Sequence, residues 1–328
     1  YVDLVRDCIR VLGADHPDAL FARDWHAFFT AEAGDAAAAR DLYVDLVRDR
    51  VRVFGSDHPD TLHVQNQHAR YTGAAGDAAV ARDLCADLVR DCTRVLTPDD
   101  SQTFRARDWH ARYTGAAGDA AAARDLYVDL VRDCIRVLGA DHPDALFARD
   151  WHAFFTAEAG DAAAARDLYV DLVRDRVRVF GSDHPDTLHV QNQHARYTGA
   201  AGDAAVARDL CADLVRDCTR VLTPDDSQTF RARDWHARYT GAAGDAAAAR
   251  DLYVDLVRDC IRVLGADHPD ALFARDWHAF FTAEAGDAAA ARDLYVDLVR
   301  DRVRVFGSDH PDTLHVQNQH ARYTAEAE

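Results

Sequence analysis

Between Asp35 and Phe54 the apolar residues Ala39, Leu42, Tyr43, Leu46, Val47, Val51 and Phe54 follow one another at steps of three and four. That spacing lines one face of an α-helix and fits no strand. Asp35 stands where an N-cap accepts a free backbone N–H, and Gly55 where a helix leaves through the left-handed region. The next segment opens with Asp57-His58-Pro59-Asp60: an acid as cap, another acid three residues on, and proline in the first turn, where its missing N–H costs nothing. A helix is therefore predicted over roughly residues 58 to 74 and another over 78 to 96, joined by the Gly76-Asp77 turn.

The pattern repeats. Gly13-Ala14-Asp15-His16-Pro17-Asp18 returns 42 residues later as Gly55-Ser56-Asp57-His58-Pro59-Asp60, and after another 42 in changed words as Thr97-Pro98-Asp99-Asp100-Ser101-Gln102. In that third variant Asp99 is expected to take the cap and Gln102 the reciprocal position. Residues 127–252 then copy residues 1–126 letter for letter, and residues 253–324 copy residues 1–72. A period of this length marks a linear array whose units are each too small to bury their own apolar face. The expected fold is all-α, a solenoid of antiparallel helix pairs. Its organisation is read as a single repeat array over residues 1–328: a partial second helix at 1–12, repeats starting near 16, 58, 100, 142, 184, 226 and 268, and an unpaired first helix at 310–328. Copying that extends even to exposed faces reports recent duplication or construction rather than physical need, since packing alone tolerates hydrophobic exchange.

Several residues carry a family resemblance across the whole chain: the His-Pro-Asp opening, Ala27 at the helix approach, the Ala33-Gly34-Asp35 turn, small Ala39, aromatic Tyr43 and the Val53-Phe54-Gly55 exit. In this combination the chain resembles a tetratricopeptide repeat in its longer 42-residue form, as in kinesin light chains and actinobacterial arrays. It departs from that pattern at Trp25-His26-Ala27, Gln67-His68-Ala69 and Trp109-His110-Ala111, where a histidine replaces a core leucine. The resemblance implies a right-handed superhelix whose first helices line a concave groove while the second helices form the outer layer. Carried over position by position, it places Phe21, Asp24, Trp25 and Phe28 in the groove from the first variant, His63, Asn66, Gln67 and Arg70 from the second, and Arg105, Asp108, Trp109 and Arg112 from the third. The cycle restarts at Phe147. Such a surface can stack on, clamp and hydrogen-bond an extended peptide. Two roles stay open for Trp25 and Trp109, facing a ligand or filling space between neighbouring first helices. For the groove acids, pairing with Arg70 and Arg112 is the alternative to ligand contact.

Charge and chemistry narrow the function. The formal net charge is −18 and every cation is an arginine, which disfavours nucleic acid backbones and anionic membranes as partners. Seven cysteines at 8, 85, 92, 134, 211, 218 and 260 mostly share one register of the second helix, the register that Arg50 holds in the middle variant. Equivalent residues of adjacent units stand about 8–10 Å apart, beyond the reach of a disulfide. Free, buried thiols point to a reducing, cytoplasmic setting. His63 and His68 are five apart, unlike the i, i+4 pair of a zinc helix, so the histidines are read as structural and neither metal nor cofactor is expected. Ser56 and Ser101 lie in capping turns, and each candidate nucleophile recurs at equal spacing, so the chain is not expected to be an enzyme. Asp45, Arg48, Asp49 and Arg52 read as a solvated outer stripe.

The function expected is a protein-interaction scaffold, part of a longer chain, with a peptide or partner segment in the groove. The alternative is structural. Tyr1 aligns with Tyr43 and the chain stops after a first helix, so apolar faces at both ends are expected to support head-to-tail association into a filament.

Overall fold

A computed structural model describes residues 1–327, and every regular element among them is an α-helix. The chain divides into two compact units, Tyr1–Asp161 and Ala162–Glu328. The first holds α1 (Val2–Leu12), α2 (Pro17–Glu32), α3 (Ala36–Phe54), α4 (Pro59–Ala74), α5 (Ala78–Val95), α6 (Ser101–Ala116), α7 (Ala120–Leu138) and α8 (Pro143–Glu158). The second holds α9 (Ala162–Phe180), α10 (Pro185–Ala200), α11 (Ala204–Val221), α12 (Ser227–Ala242), α13 (Ala246–Leu264), α14 (Pro269–Glu284), α15 (Ala288–Phe306) and α16 (Pro311–Ala327). Within each unit every helix packs on the one before it, and first helices also meet each other, α4 against α6 and α10 against α12. This is the helix-pair solenoid that the 42-residue period predicts.

Helix ends follow the sequence with a shift of one residue. Asp35 caps α3 as expected, its Oδ1 accepting from the Ala38 N–H at 2.9 Å. The first helices are capped one position later than expected. His58 Nδ1 accepts from the Asp60 N–H at 3.2 Å, and in the third variant Asp100, not Asp99, accepts from the Gln102 N–H at 2.8 Å. The displaced acids have another task. Asp57 takes both terminal nitrogens of Arg94 at 2.8 and 2.9 Å, and Asp99 takes Arg136, so each acid braces the open end of a hairpin against its own second helix. Bidentate geometry of this kind is the favourable form of an arginine–carboxylate pair. Gly55 does stop α3, but at φ 89° and ψ 163°, an extended conformation of positive φ that is essentially reserved for glycine.

The core is built on the predicted stripe. Ala39, Tyr43 and Leu46 are buried, with Tyr43 stacked on Tyr71 at 5.4 Å between ring centres. Val51 departs from the expectation and stays exposed, and Arg50 enters the core in its place. The outer stripe is also less solvated than expected. Asp49 is bound by Arg23 of α2 at 2.8 Å and by Arg52 at 3.1 Å. All seven cysteines are free, six of them buried. Burial pushes the Cys85 thiol up to about 12 and that of Cys134 to about 11, so these thiols stay protonated and inert near neutrality.

His68, His110, His152, His194, His236 and His278 occupy equivalent half-buried positions on the first helices. Burial lowers the pKa of each, and for His68 the Arg40 guanidinium of α3 adds to the effect. A histidine that is harder to protonate when folded contributes its full stability above the unfolded pKa of about 6.5, and loses it as pH falls from there towards the lower folded value. Asp108, Asp234 and Asp276, whose carboxyls burial pushes up, oppose this trend because their folded forms hold a proton more readily. Six histidines against that opposition are expected to lower the melting midpoint by several degrees between about pH 7.5 and pH 5.5. Thermal melts of the parent and of a variant with all six changed to glutamine test this. Equal pH slopes in the two proteins would contradict it.

Candidate functional site

The predicted face lies on the first helices because their opposite sides are occupied. The Ala27, Ala69 and Ala111 row is buried against neighbouring helices, leaving the positions at steps of three and four around Trp25 and Trp109 on the other side.

On α2, Phe21 and Trp25 are exposed at 58% and 40%. Trp25 meets Phe28 edge-on at 5.7 Å and stacks on Phe29, also at 5.7 Å. Asp24 sits deeper. Its Oδ1 accepts from the Tyr43 hydroxyl at 2.9 Å, while Oδ2 faces Arg50 Nη2 at 3.5 Å and His63 Nε2 at 3.8 Å. On α4, Gln67 and Arg70 are half-buried, while Asn66 is buried and stands behind the face rather than on it. On α6, Arg105 is exposed, whereas Asp108, Trp109 and Arg112 are half-buried and engaged with one another.

Those engagements form a ladder. The Arg70 guanidinium lies 5.6 Å from the Trp109 ring centre. Arg112 lies 4.7 Å from Trp109 and 4.4 Å from Trp151 of α8, with Phe147 at 4.9 Å. The same Arg112 pairs with Asp108 at 3.0 Å, and Asp108 also accepts from the Tyr127 hydroxyl at 2.7 Å. Burial raises the pKa of the Asp108 carboxyl, with Arg112 acting against that rise. Cation–π contacts contribute about 0.5–1 kcal/mol each at exposed sites and more when desolvated. Trp109 thus packs against the core between helices and stands, half-buried, beside two guanidinium groups.

In the second unit, the counterparts of the predicted residues line one cavity. Phe273, Asp276, Trp277 and Phe280 of α14 and His315 and Gln319 of α16 surround about 370 Å³, with Tyr295 and Arg302 at its base. These correspond, repeat for repeat, to Phe21, Asp24, Trp25, Phe28, His63 and Gln67. Two further cavities were not foreseen. One, of about 240 Å³, is framed by Phe104, Asp108, Cys134, Asp144 and Phe147. Its counterpart in the second unit, about 280 Å³, is framed by Phe230, Asp234, Cys260, Asp270 and Phe273. The signal for them is a core register that holds arginine at Arg50 and cysteine at Cys134 while the acid is kept at Asp24 and Asp108, which periodicity alone does not interpret. No helix among the described residues is long and apolar enough to cross a membrane.

A family model described as Tetratricopeptide repeat matches residues 27–60, 111–144, 153–186, 237–270 and 279–312, together just over half of the chain. No curated protein matches the sequence. Similar solved structures include a Podosopora anserina putative kinesin light chain with nearly identical TPR-like repeats, at 22% identity over 62% of this chain and 97% of that one, with a TM-score of 0.57. BtubC (BKLC) from P. vanneervenii is 14% identical over 76% of this chain and 94% of that one, with a TM-score of 0.55. A tetratricopeptide repeat protein from Parabacteroides merdae is 10% identical over 90% of this chain and 96% of that one, with a TM-score of 0.60. At such identities the likeness extends to the fold alone.

Proposed function

Because this chain belongs to the tetratricopeptide repeat family, we propose that it is a protein-interaction scaffold whose first helices hold an extended peptide or partner segment. The observation that carries this reading is the cavity between α14 and α16, where aromatic, acidic, imidazole and amide side chains converge on about 370 Å³. A site of that size and mixture suits one or two side chains of an extended segment, with the aromatic rings supplying contact area at low entropic cost. On this reading the chain performs no catalytic step, binds no cofactor, and works in the cytoplasm, in keeping with its free buried thiols. Its acidity keeps nucleic acid and anionic membranes away.

An array of synthetic peptides probed with the parent and with Trp277→Ala/Phe280→Ala tests the reading. Peptides that bind the parent should lose about 2 kcal/mol or more on the variant, the scale of an aromatic anchor. Retention of the same peptides at the same affinity would reject it.

A second reading, head-to-tail association into a filament, draws on apolar side chains exposed on α1 and α16. Leu4, Ile9, Val11 and Leu12 of α1 are exposed, and Leu314 of α16 is 47% exposed where its counterpart Leu62 is buried. Heterologous contacts that do not close build open assemblies. Sedimentation at rising concentration decides: growing mass supports the filament, and a constant monomer mass removes it.

A further inference from the structure

The unforeseen cavities have a counterpart in this same chain that is already filled. Arg50, only 5% exposed, reaches from α3 into the space between α2 and α4. Its Nη1 donates to the Asp60 carbonyl at 3.1 Å and its Nη2 faces Asp24 Oδ2 at 3.5 Å. Arg302 does the same in the second unit, donating to the Asp312 carbonyl at 2.8 Å and to the Leu272 carbonyl at 3.4 Å, with Asp276 Oδ2 at 3.3 Å. Two repeats on from Arg50, the register holds Cys134 instead. The residues that meet the arginine heads, Asp24 and Asp60 at Arg50 and Leu272 at Arg302, correspond to Asp108, Asp144 and Phe104, which now line the 240 Å³ cavity. The Cys260 cavity repeats the arrangement with Phe230, Asp234 and Asp270.

We propose that the cavities framed by Cys134 and Cys260 each receive an arginine side chain from the bound partner segment, in the manner in which Arg50 occupies its own site. This rests on the reading of the first helices as a binding face and names the side chain that the face selects. The cavity's walls suit the whole residue. Phe104, Leu130, Leu138 and Phe147 offer apolar surface to a three-carbon stem, and Phe147 and Arg105 belong to the first-helix face from which a segment would enter. At the inner end, Asp108 supplies a carboxylate, and the carbonyls of Asp144 and Phe104, each with a second lone pair, stand where Asp60 and Leu272 serve the resident arginines. Asp144 adds an exposed carboxylate at the rim.

A guanidinium presents five donors in a fixed plane and reaches several acceptors at once, whereas an ammonium is a compact, strongly hydrated point charge. Arginine is therefore selected over lysine. Asp108 already carries Arg112, so the guest shares that carboxylate rather than neutralising it alone. Burial pushes the Asp108 carboxyl up even with Arg112 beside it, and a second guanidinium would act in the same sense as Arg112.

The test uses the full chain and three capped tripeptides, Gly-X-Gly with X as arginine, lysine or citrulline, followed by NMR of the Leu130 and Leu138 methyl groups at one site and of Leu256 and Leu264 at the other. The arginine peptide is expected to bind about tenfold or more tightly than the neutral citrulline isostere and than lysine, as charge-assisted, multidentate recognition requires. In Cys134→Arg/Cys260→Arg, where the chain supplies its own arginine, that binding should be lost at both sites. Equal responses to arginine and citrulline in the parent would overturn the proposal without recourse to any variant. So would unchanged arginine binding in the folded double variant. The scaffold reading is scored separately, by the peptide array and its Trp277 and Phe280 dependence, so peptides that still need those rings but show no arginine preference defeat only the pocket.

Discussion

Arg50→Cys is expected to destabilise the chain by about 3 kcal/mol, the lower end of the cost of removing one partner from a buried ion pair. The loss arises because Asp24, its side chain only 15% exposed, loses its nearest strong cation and keeps the Tyr43 hydroxyl at 2.9 Å and His63 at 3.8 Å. The chain contains its own remedy. Where the register holds Cys134, the equivalent acid Asp108 is held from its own helix by Arg112, four residues on, and the position of Arg112 is occupied by Phe28 in the first variant. Adding Phe28→Arg to Arg50→Cys should therefore restore part of the stability, with a coupling of at least about 1 kcal/mol. Denaturant titration of the four proteins of the cycle measures this, and hydrogen exchange in α3 and α4 locates it. Strict additivity would show that the two arginines do not substitute for each other.

The second large effect runs against helix propensity. Gly73 lies inside α4, where alanine is normally favoured by about 1 kcal/mol. A Cβ at Gly73 would stand 2.0 Å from Tyr113 Cε1 and 2.3 Å from its Cζ. That ring cannot easily withdraw, since it is buried, stacked on Trp109 at 5.5 Å, and tied by its hydroxyl to the Arg70 carbonyl at 2.7 Å. Overpacking of a fixed core group costs about 1–3 kcal/mol, so Gly73→Ala is expected to destabilise on balance. Gly115 meets the Phe155 ring at the same 2.0 Å, and Gly199 and Gly241 repeat the two arrangements in the second unit. Changing all four to alanine should lower the melting midpoint by several degrees, at a net cost of about 1 kcal/mol for each site. A rise in the midpoint would mean that the aromatic rings can swing aside at no cost.

The corrections between sequence and structure share one cause. A period of 42 and steps of three and four report where apolar residues recur, and these placed the hairpins to within a residue or two. They do not report which polar group outcompetes another for a backbone donor. Asp57 is a better cap than His58 by intrinsic preference, yet Arg94 of the next helix claims it. Arg50 is polar and Val51 apolar, but the acid and carbonyls waiting in the core draw in the arginine and leave the valine outside.

The sequence by itself determined the helical hairpin, its length and its repetition, because these depend on local periodicity and on short-range capping. Only the tertiary structure decided which of the predicted residues are spent on one another, that Asn66 is hidden, and that a cavity lies beside Asp108 where Cys134 stands in the register of Arg50. Those outcomes are set by distances between helices, and an interhelical distance leaves no mark on the spacing of residues within either helix.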